Sequence, residues 1–239
     1  MATTAIRALL SGADDLQVSI YCQPVSKLLQ GAIDNFTMKS KGMLIKNQFR
    51  AESVRVDTDA IALDLGAVLG GKVRLMRPTE AIASVVLLEE DINRSFEAEL
   101  VTKKLQGISL AEFEELDRPS ETASFTGTRI ELLDDNHIRL RTQITFEQSG
   151  ETGEVAFTAR MGVVEQRRLV LEEPVFEDDS PQAQKLGQIF VDQFNRMMDL
   201  DKFNLDGVIL RIHRLRVRNR QLIFEGRAKI NHFPEPRKR

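Results

Sequence analysis

The sequence predicts an α+β protein whose strongly curved antiparallel sheet wraps around amphipathic helices. Three observations lead to this fold class. Runs of alternating apolar and polar residues, which are typical of half-buried strands, recur along most of the chain. An apolar strand passes directly into an amphipathic helix within residues 78–105, and the longest helical pattern covers residues 182–198.

The N-terminal third is predicted to contain two short helices, the first at residues 4–10, and otherwise mainly strands. Residues 16–22 alternate regularly between apolar and polar side chains. Pro24 stops this strand and opens a short helix, Val25–Gln30, which Gly31 ends. Further strand patterns cover residues 33–45, two strands within 49–65 on either side of residues 57–59, and residues 73–75, with a turn at 66–72.

Residues 78–105 are predicted to join a buried strand to a helix. The run 81–88 is almost continuously apolar, so we expect both of its faces to be covered. Residues 89–91 are all acidic, which suits the positive end of a helix dipole and indicates a helix start rather than a catalytic site. The apolar stripe of this helix consists of Ile92, Phe96, Leu100 and Leu105. Gly107 ends the helix, and one further helical turn is expected before Pro119.

The C-terminal half is predicted to form a β-meander, one long helix and a final hairpin. The strands are expected at residues 128–133, 138–146, 155–163, 169–171, 208–212 and 222–230. Ser180 and Pro181 are typical of the N-cap and the first position of a helix. Gly187, inside this helix, costs roughly 1 kcal/mol relative to Ala, which indicates close packing or a bend. A change of apolar parity at residues 213–214 indicates a bulge.

These patterns predict one α+β domain over residues 13–232. Residues 1–12 precede it as a short helical segment, and the basic tail 233–239 is expected to be disordered. A chain of 239 residues is long enough for one large domain or two small ones.

The composition excludes several classes of protein. A formal charge of −3 argues against a generally polycationic nucleic-acid binder but does not describe local patches, and a nucleic-acid partner is not favoured. One cysteine and three widely separated histidines provide neither a disulfide nor metal-ligand spacing, so no cofactor and no metal are predicted. No apolar run approaches the roughly 20 residues that cross a bilayer. The N-terminus has no secretory apolar core, and we expect a cytoplasmic protein that contacts a membrane only peripherally.

Motifs for catalysis are incomplete or lacking in the sequence. Residues 70–72, Gly-Gly-Lys, lack the first glycine and the final Ser/Thr of a phosphate-binding loop, so a plain turn is the better interpretation. Cys22 lies on the apolar face of a strand pattern and is interpreted as an inert core residue. Acidic pairs such as residues 172–173 lack the spacing of a calcium loop. We therefore predict no enzyme activity and assign no catalytic residue.

Charge is distributed unevenly, and the basic part suggests a binding surface. Ten basic and three acidic residues lie between Asn204 and Arg239. Near an anionic lipid surface each cation contributes about 1 kcal/mol. The candidate headgroup residues on the final hairpin are Arg211, Arg214, Arg216, Arg218 and Arg220. RNA is a second candidate ligand for this basic stretch. The plainer alternative is a solvated strand face paired with acidic neighbours.

The helix at residues 182–198 is the candidate site for a lipid tail. Its apolar face carries large, pliable side chains against which an acyl chain can lie. These residues are Leu186, Ile189, Phe190, Phe194 and Met197. The alternative interpretation of the same stripe is an ordinary core helix.

Two segments carry a resemblance to a known family. Residues 63–75 read LDLGAVLGGKVRL, and residues 85–96 read VVLLEEDINRSF, an apolar strand with an acidic step into a helix. With these segments, the sequence resembles the LmeA-like phospholipid-binding family, formerly a bacterial domain of unknown function, and especially its cyanobacterial branch. The resemblance extends over roughly residues 13–232.

The resemblance implies both a fold and a function. Members of the family resemble tubular lipid-binding (TULIP-type) domains, in which a curved antiparallel sheet wraps a long helix around an apolar groove. The implied activity is binding of a phospholipid or another fatty-acyl ligand without catalysis. The alternative from a different class is a protein-interaction or scaffold domain with a fully packed core.

Overall fold

The computed structural model of the chain describes residues 12–45, 48–70, 73–111, 120–202 and 207–232, which fall into two compact units. Unit 1 takes the residues up to Leu87, together with 203–214 and the residues from Ile223 onward. Unit 2 takes 88–202 together with 215–222. The helices expected at 4–10 and just before Pro119, and the tail 233–239, lie outside the described residues. The single domain over 13–232 stays a prediction.

The fold class is confirmed. The described residues form a six-stranded sheet, a five-stranded sheet and a two-stranded sheet, with four α-helices and short 3₁₀ turns. The strand pairs with an assigned register are all antiparallel. This is an α+β fold of the TULIP type, with a strongly curled antiparallel sheet.

Unit 1 is built on the six-stranded sheet and carries the two-stranded sheet beside it. Its strands and helix are β1 (Asp15–Tyr21), β2 (Ala32–Ile33), β3 (Asn35–Ile45), β4 (Phe49–Thr58), β5 (Ile61–Ala62), α1 (Leu65–Leu69), β6 (Thr79–Leu88), and the unit-1 parts of β12 (Val208–Arg218) and β13 (Gln221–Ile230). The strand order of the large sheet is β1-β3-β4-β6-β13-β12. Strands β2 and β5 form the small sheet, whose buried Ile33 and Ile61 pack with Leu75 and Ala81.

Unit 2 places one long helix against the five-stranded sheet. Its elements are α2 (Glu89–Ser95), α3 (Glu99–Leu105), β7 (Ile108–Ser109), β8 (Thr122–Leu132), β9 (His137–Phe146), β10 (Thr152–Val164), β11 (Arg168–Phe176) and α4 (Pro181–Met197). The strand order is β11-β10-β9-β8-β7. The register shifts within β8 at Thr126/Arg129 and within β10 at Thr158/Arg160, and such bulges increase local twist and bend a sheet.

The start of α4 confirms the sequence pattern around Ser180. The Ser180 side chain accepts a hydrogen bond from the Ala183 backbone N–H at 3.3 Å, and Pro181 occupies the first position of the helix. Gly187 permits a close approach, because a Cβ there would lie 2.1 Å from the Phe176 ring. The prediction of close packing at Gly187 is confirmed.

Three local predictions differ from the structure. The single helix expected up to Leu105 is two helices, because the backbone turns tightly at residues 96–98 before α3 begins. Leu100, which was predicted to lie in the apolar stripe of that helix, is exposed. The expected turn at 66–72 contains α1, whose N-cap Asp64 accepts a hydrogen bond from the Ala67 N–H at 3.1 Å. Ile82, expected to be covered, is exposed because strand alternation places it on the polar face of the large sheet.

Candidate functional site

The structure brings the five predicted tail-binding residues together on one buried face of α4. All of them are buried, and Phe190 is fully enclosed. Its ring packs against Phe125 of β8, with centroids 5.1 Å apart, and against Phe157 of β10, at 6.1 Å. The face therefore forms the core of unit 2, and an acyl chain can lie along it only after these rings separate from the helix.

One cleft in unit 2 reaches the same helix from outside. It has a volume of about 290 Å³ and lies between α3, the residues that follow it, and α4. Lys103, Lys104 and Arg196 line it, and Ile189 contributes from the buried face of α4. Ligand pockets for drug-sized molecules span about 300–1,000 Å³ and are mostly apolar. The cleft is small and polar, and Asp192 and the Glu99 partner of Lys103 offset part of its positive charge, so it does not suit a hydrocarbon chain.

The six-stranded sheet of unit 1 presents an apolar face that is only partly covered. In the register of the sheet, Val18 of β1 lies opposite Met38 of β3, and Met38 lies opposite Val56 of β4. Antiparallel partners directly opposite each other point to the same side of a sheet. We call this surface the open apolar face, and it consists of Val18, Ile20, Met38, Val56, Val85 and Leu87.

The open apolar face differs from the inner face of the five-stranded sheet in its exposure. Ile138, Leu140 and Phe157 in unit 2 are fully buried, whereas every residue of the open apolar face keeps part of its surface exposed. Four of these residues pack against the buried cluster of Met43, Ala51 and Val54. Hydrocarbon surface left partly in water is the surface that gains most from contact with an acyl chain, at about 25 cal/mol per Å² buried.

The opposite side of β3 and β4 is polar, so the two faces of the sheet differ clearly in character. Thr37, Arg55 and Asp57 lie there, and the Asp57 carboxylate accepts hydrogen bonds from Arg55 Nε at 2.6 Å and Thr37 Oγ1 at 2.8 Å. The hydrogen bond from Arg55 lowers the pKa of Asp57. Sequence analysis identified the alternation in β1 but did not identify this face, because alternation does not report whether the apolar side is covered.

The five predicted headgroup arginines are divided between the two units. Arg211 and Arg214 belong to unit 1, where Arg214 lies 3.9 Å from Glu225. Arg216, Arg218 and Arg220 belong to unit 2, and all three are exposed. His213 and Arg214 are both exposed between the buried residues of β12, in agreement with the parity change in the sequence.

Arg220 is already engaged by a buried carboxylate. Glu89, the first residue of α2, accepts hydrogen bonds from the Arg220 guanidinium and, at 2.8 Å, from the Leu132 backbone N–H. Burial alone would raise the pKa of Glu89, but these two donors outweigh it and the pKa is lowered. The same contact raises the pKa of Arg220. Glu89 thus acts as a structural anchor, and the prediction that residues 89–91 start a helix is confirmed.

The part of the chain that the structure describes has neither a metal-binding cluster nor a membrane-spanning helix. No group of three or more His, Cys, Asp or Glu residues in it is arranged to hold a metal ion. Among its helices, none combines the length and hydropathy needed to span a bilayer.

Comparison with known protein families gives a match over most of the chain. A sequence model for LmeA-like phospholipid-binding proteins matches residues 1–227. Searches of curated proteins and of solved structures found no match.

Proposed function

The chain belongs to the LmeA-like phospholipid-binding family, and from this premise we propose that it binds a phospholipid or another amphipathic lipid without chemical conversion. The observation that carries the proposal is the open apolar face of unit 1. A sheet face that is apolar but only partly buried gains free energy when hydrocarbon covers it. The acyl chain would lie along β3, β4 and β6 in this proposal.

The headgroup is proposed to contact basic residues of the final hairpin. Arg211 and Arg214 are the candidates in unit 1, the unit that carries the open apolar face. Arg216 and Arg218 are exposed in unit 2 and are candidates for contact with an anionic lipid surface. Arg220 is the weakest candidate, because Glu89 already holds its guanidinium.

The apolar face of α4 is a second possible position for the acyl chain. Leu186, Ile189, Phe190, Phe194 and Met197 are contiguous and large, as a tail site requires. Binding at this position costs free energy because these residues are buried: the Phe125 and Phe157 rings must separate from Phe190 before an acyl chain can enter. Substitutions on the two faces distinguish the two positions.

Two adjacent residues of β6 provide a matched test. Val85 belongs to the open apolar face, opposite Val54, whereas Val86 lies opposite Ser53 on the polar side; both are partly exposed. Val85→Thr is expected to weaken binding of a phospholipid with a fluorescent acyl chain about five- to tenfold, because it removes roughly 1 kcal/mol of apolar transfer free energy. Val86→Thr should leave the affinity within about twofold.

The measurement combines that titration with native mass spectrometry of the gently purified full chain. We expect co-purified lipid in the wild type and less of it in the Val85→Thr variant. If Phe190→Leu weakens binding and Val85→Thr does not, the acyl chain lies along α4. Protein that is free of lipid and does not bind the fluorescent phospholipid would contradict the proposal.

A protein-interaction or scaffold domain is the alternative function. One observation favours it: the face of α4 that was predicted to hold a lipid tail fills the core of unit 2. For a scaffold domain, Val85→Thr and Val86→Thr should both be without effect on lipid content, and native mass spectrometry should show only the protein mass.

A further inference from the structure

Three short segments around the two-stranded sheet of unit 1 expose a group of aliphatic side chains. The segments are the 3₁₀ turn Val25–Gln30, helix α1, and residues 73–76. We call their exposed side chains the apolar tip, which consists of Val25, Leu28, Leu29, Leu65, Val68, Val73 and Met76. Leu29 is 81% exposed and Met76 is 71% exposed. The residues of the open apolar face, except Ile20, are less exposed than any residue of the apolar tip.

Backbone hydrogen bonds hold the three segments together. Leu63 N–H, just before α1, donates to the carbonyl of Gly31 at 2.7 Å, and Gly31 ends the 3₁₀ turn. Asp64 N–H donates to Arg74 at 2.9 Å, and Met76 N–H donates to Ala62 at 2.8 Å. Gly31 has a φ of 76°, and a Cβ there would lie 2.3 Å from the Leu63 oxygen. The close approach of the first two segments therefore requires glycine.

The apolar tip adjoins a buried hydrophobic cluster. Beneath it, Ile33, Ile61 and Leu75 are buried in one hydrophobic cluster, whereas no residue of the 3₁₀ turn Val25–Gln30 is buried. The largest contiguous apolar patch of a typical monomer covers roughly 300–600 Å² and is often functional. Because backbone hydrogen bonds join the three segments, these seven exposed aliphatic residues are grouped rather than scattered over the surface.

We propose that the apolar tip inserts into the interfacial region of a phospholipid bilayer. The apolar tip has seven residues, far fewer than the 20–30 residues and about 800 Å² on each side that a stable protein interface needs. A fluid bilayer closes around projecting side chains without a matching shape. Apolar groups buried in this way to a depth of about 5–10 Å anchor proteins to membrane surfaces.

The residues at the rim of the apolar tip fit the same partner. Tyr21, the only tyrosine of the chain, is exposed at the end of β1, and tyrosine is enriched at membrane–water interfaces. Lys27, Arg74 and Arg77 can reach lipid phosphates, but Lys27 lies 2.8 Å from Asp34 and Arg74 lies 3.9 Å from Asp64. The local charge is nearly balanced, so insertion depends on apolar contact and only weakly on anionic lipid or salt.

The choice of a bilayer as partner rests on the proposed function. A protein that binds phospholipid must meet the membrane from which its ligand comes. The apolar tip supplies that contact on the unit that carries the open apolar face.

Flotation of the full chain with phosphatidylcholine vesicles tests the inference. The wild type is expected to float with the vesicles at low and at high salt, and to bind vesicles containing anionic lipid within about threefold of the same affinity. Leu29→Ser combined with Met76→Ser should weaken partition about tenfold or more, through lost apolar transfer. The matched control combines Ile82→Ser and Val175→Ser, which are 65% and 67% exposed outside the apolar tip and should leave partition unchanged.

A tryptophan reporter gives an independent measurement, because the natural chain contains no tryptophan. Leu29→Trp should show a blue-shifted emission on addition of the vesicles and quenching by brominated acyl chains. Val175→Trp, on an exposed site of unit 2, should show neither change.

Three outcomes would overturn the inference. The first is a double variant at Leu29 and Met76 that partitions like the wild type. The second is vesicle binding that needs anionic lipid and vanishes at high salt, which would assign docking to the basic hairpin. The third is a wild-type dimer that the double variant dissociates, which would make the apolar tip a contact between copies. Failure of the proposed function gives a different result, because the wild type would then carry no lipid in native mass spectrometry. If only the inference is wrong, both the wild type and the double variant should still show bound lipid.

Discussion

Glu89 connects three segments of unit 2 through a single buried carboxylate. It begins α2, accepts the Leu132 N–H of β8, and holds Arg220 at the turn between β12 and β13. Hydrogen bonds to a charged group contribute about 1.5–3 kcal/mol each, and a buried donor left without its acceptor adds a desolvation cost. The guanidinium of Arg220 is largely exposed and can turn to water, whereas the buried N–H of Leu132 relies on the Glu89 side chain for its acceptor.

Glu89→Gln is expected to reduce the free energy of unfolding by about 1–3 kcal/mol at neutral pH, measured by urea denaturation. Because the pKa of Glu89 is lower in the folded than in the unfolded protein, its contribution is fully present above the unfolded pKa of about 4.3 and is lost as the pH falls through the folded value. The difference between variant and wild type should therefore shrink on acidification. The matched control is Glu90→Gln at the exposed neighbour, with an expected change within about 0.5 kcal/mol. A difference that persists unchanged in acid would contradict the assigned role.

Helix α4 shows how one position sets the distance between two elements. Gly187 faces the Phe176 ring of β11, and Phe176 in turn packs edge-on against Phe157, with centroids 5.7 Å apart. Replacing glycine by alanine in a helix interior normally stabilises it by roughly 1 kcal/mol. At Gly187 the added methyl group would overlap an aromatic ring, and packing rather than helix propensity decides the outcome.

Gly187→Ala is expected to destabilise the protein by about 1–3 kcal/mol, the usual cost of overpacking a core. The measurement is thermal or chemical denaturation in a double-mutant cycle with Phe176→Leu. The double variant should lose less stability than the two single variants added together, because the smaller side chain makes room for the methyl group. Strict additivity would show that the contact between Gly187 and Phe176 does not limit the approach of α4.

The elements also show which local patterns are readable in a sequence. The Ser180 cap and Pro181 start depend on residues within one helical turn, and the structure confirms them. The break before α3 is the tight turn at residues 96–98, and just before it the Asn93 side chain exchanges two hydrogen bonds with the backbone of Ile130 in β8, at 2.9 and 2.7 Å. Such a long-range contact leaves no periodic signal, and the two helices were therefore predicted as one.

At the scale of the whole chain, the two units differ in how completely they bury their apolar faces. The inner face of the five-stranded sheet is enclosed by α4, whereas the open apolar face of unit 1 keeps water contact. Amide exchange is slowest where opening a segment exposes the most buried surface. We expect the slowest-exchanging amides in β9 and β10 and faster exchange in β3, β4 and β6.

Addition of phospholipid should raise amide protection mainly in β3, β4 and β6. A ligand that binds only the folded state stabilises it by about 2.7 kcal/mol at a hundredfold excess over its Kd, and the gain appears first in the segments that it covers. Hydrogen exchange with mass-spectrometric detection, with and without phosphatidylcholine, measures this. Protection gained in α4 instead would place the acyl chain along the predicted residues Leu186–Met197.

The sequence by itself determined the fold class, the family and most element types, because alternation, helical spacing and capping residues act over short distances along the chain. It also located the apolar stripe of α4 and the alternation of β1. Only the tertiary structure decided which apolar surfaces remain open. The helical stripe of α4 and the alternation in the strands of the large sheet each mark an apolar face, but Phe125 and Phe157 cover the first and leave it in a core. Coverage depends on residues far apart in the chain, and a periodic pattern carries no information about them.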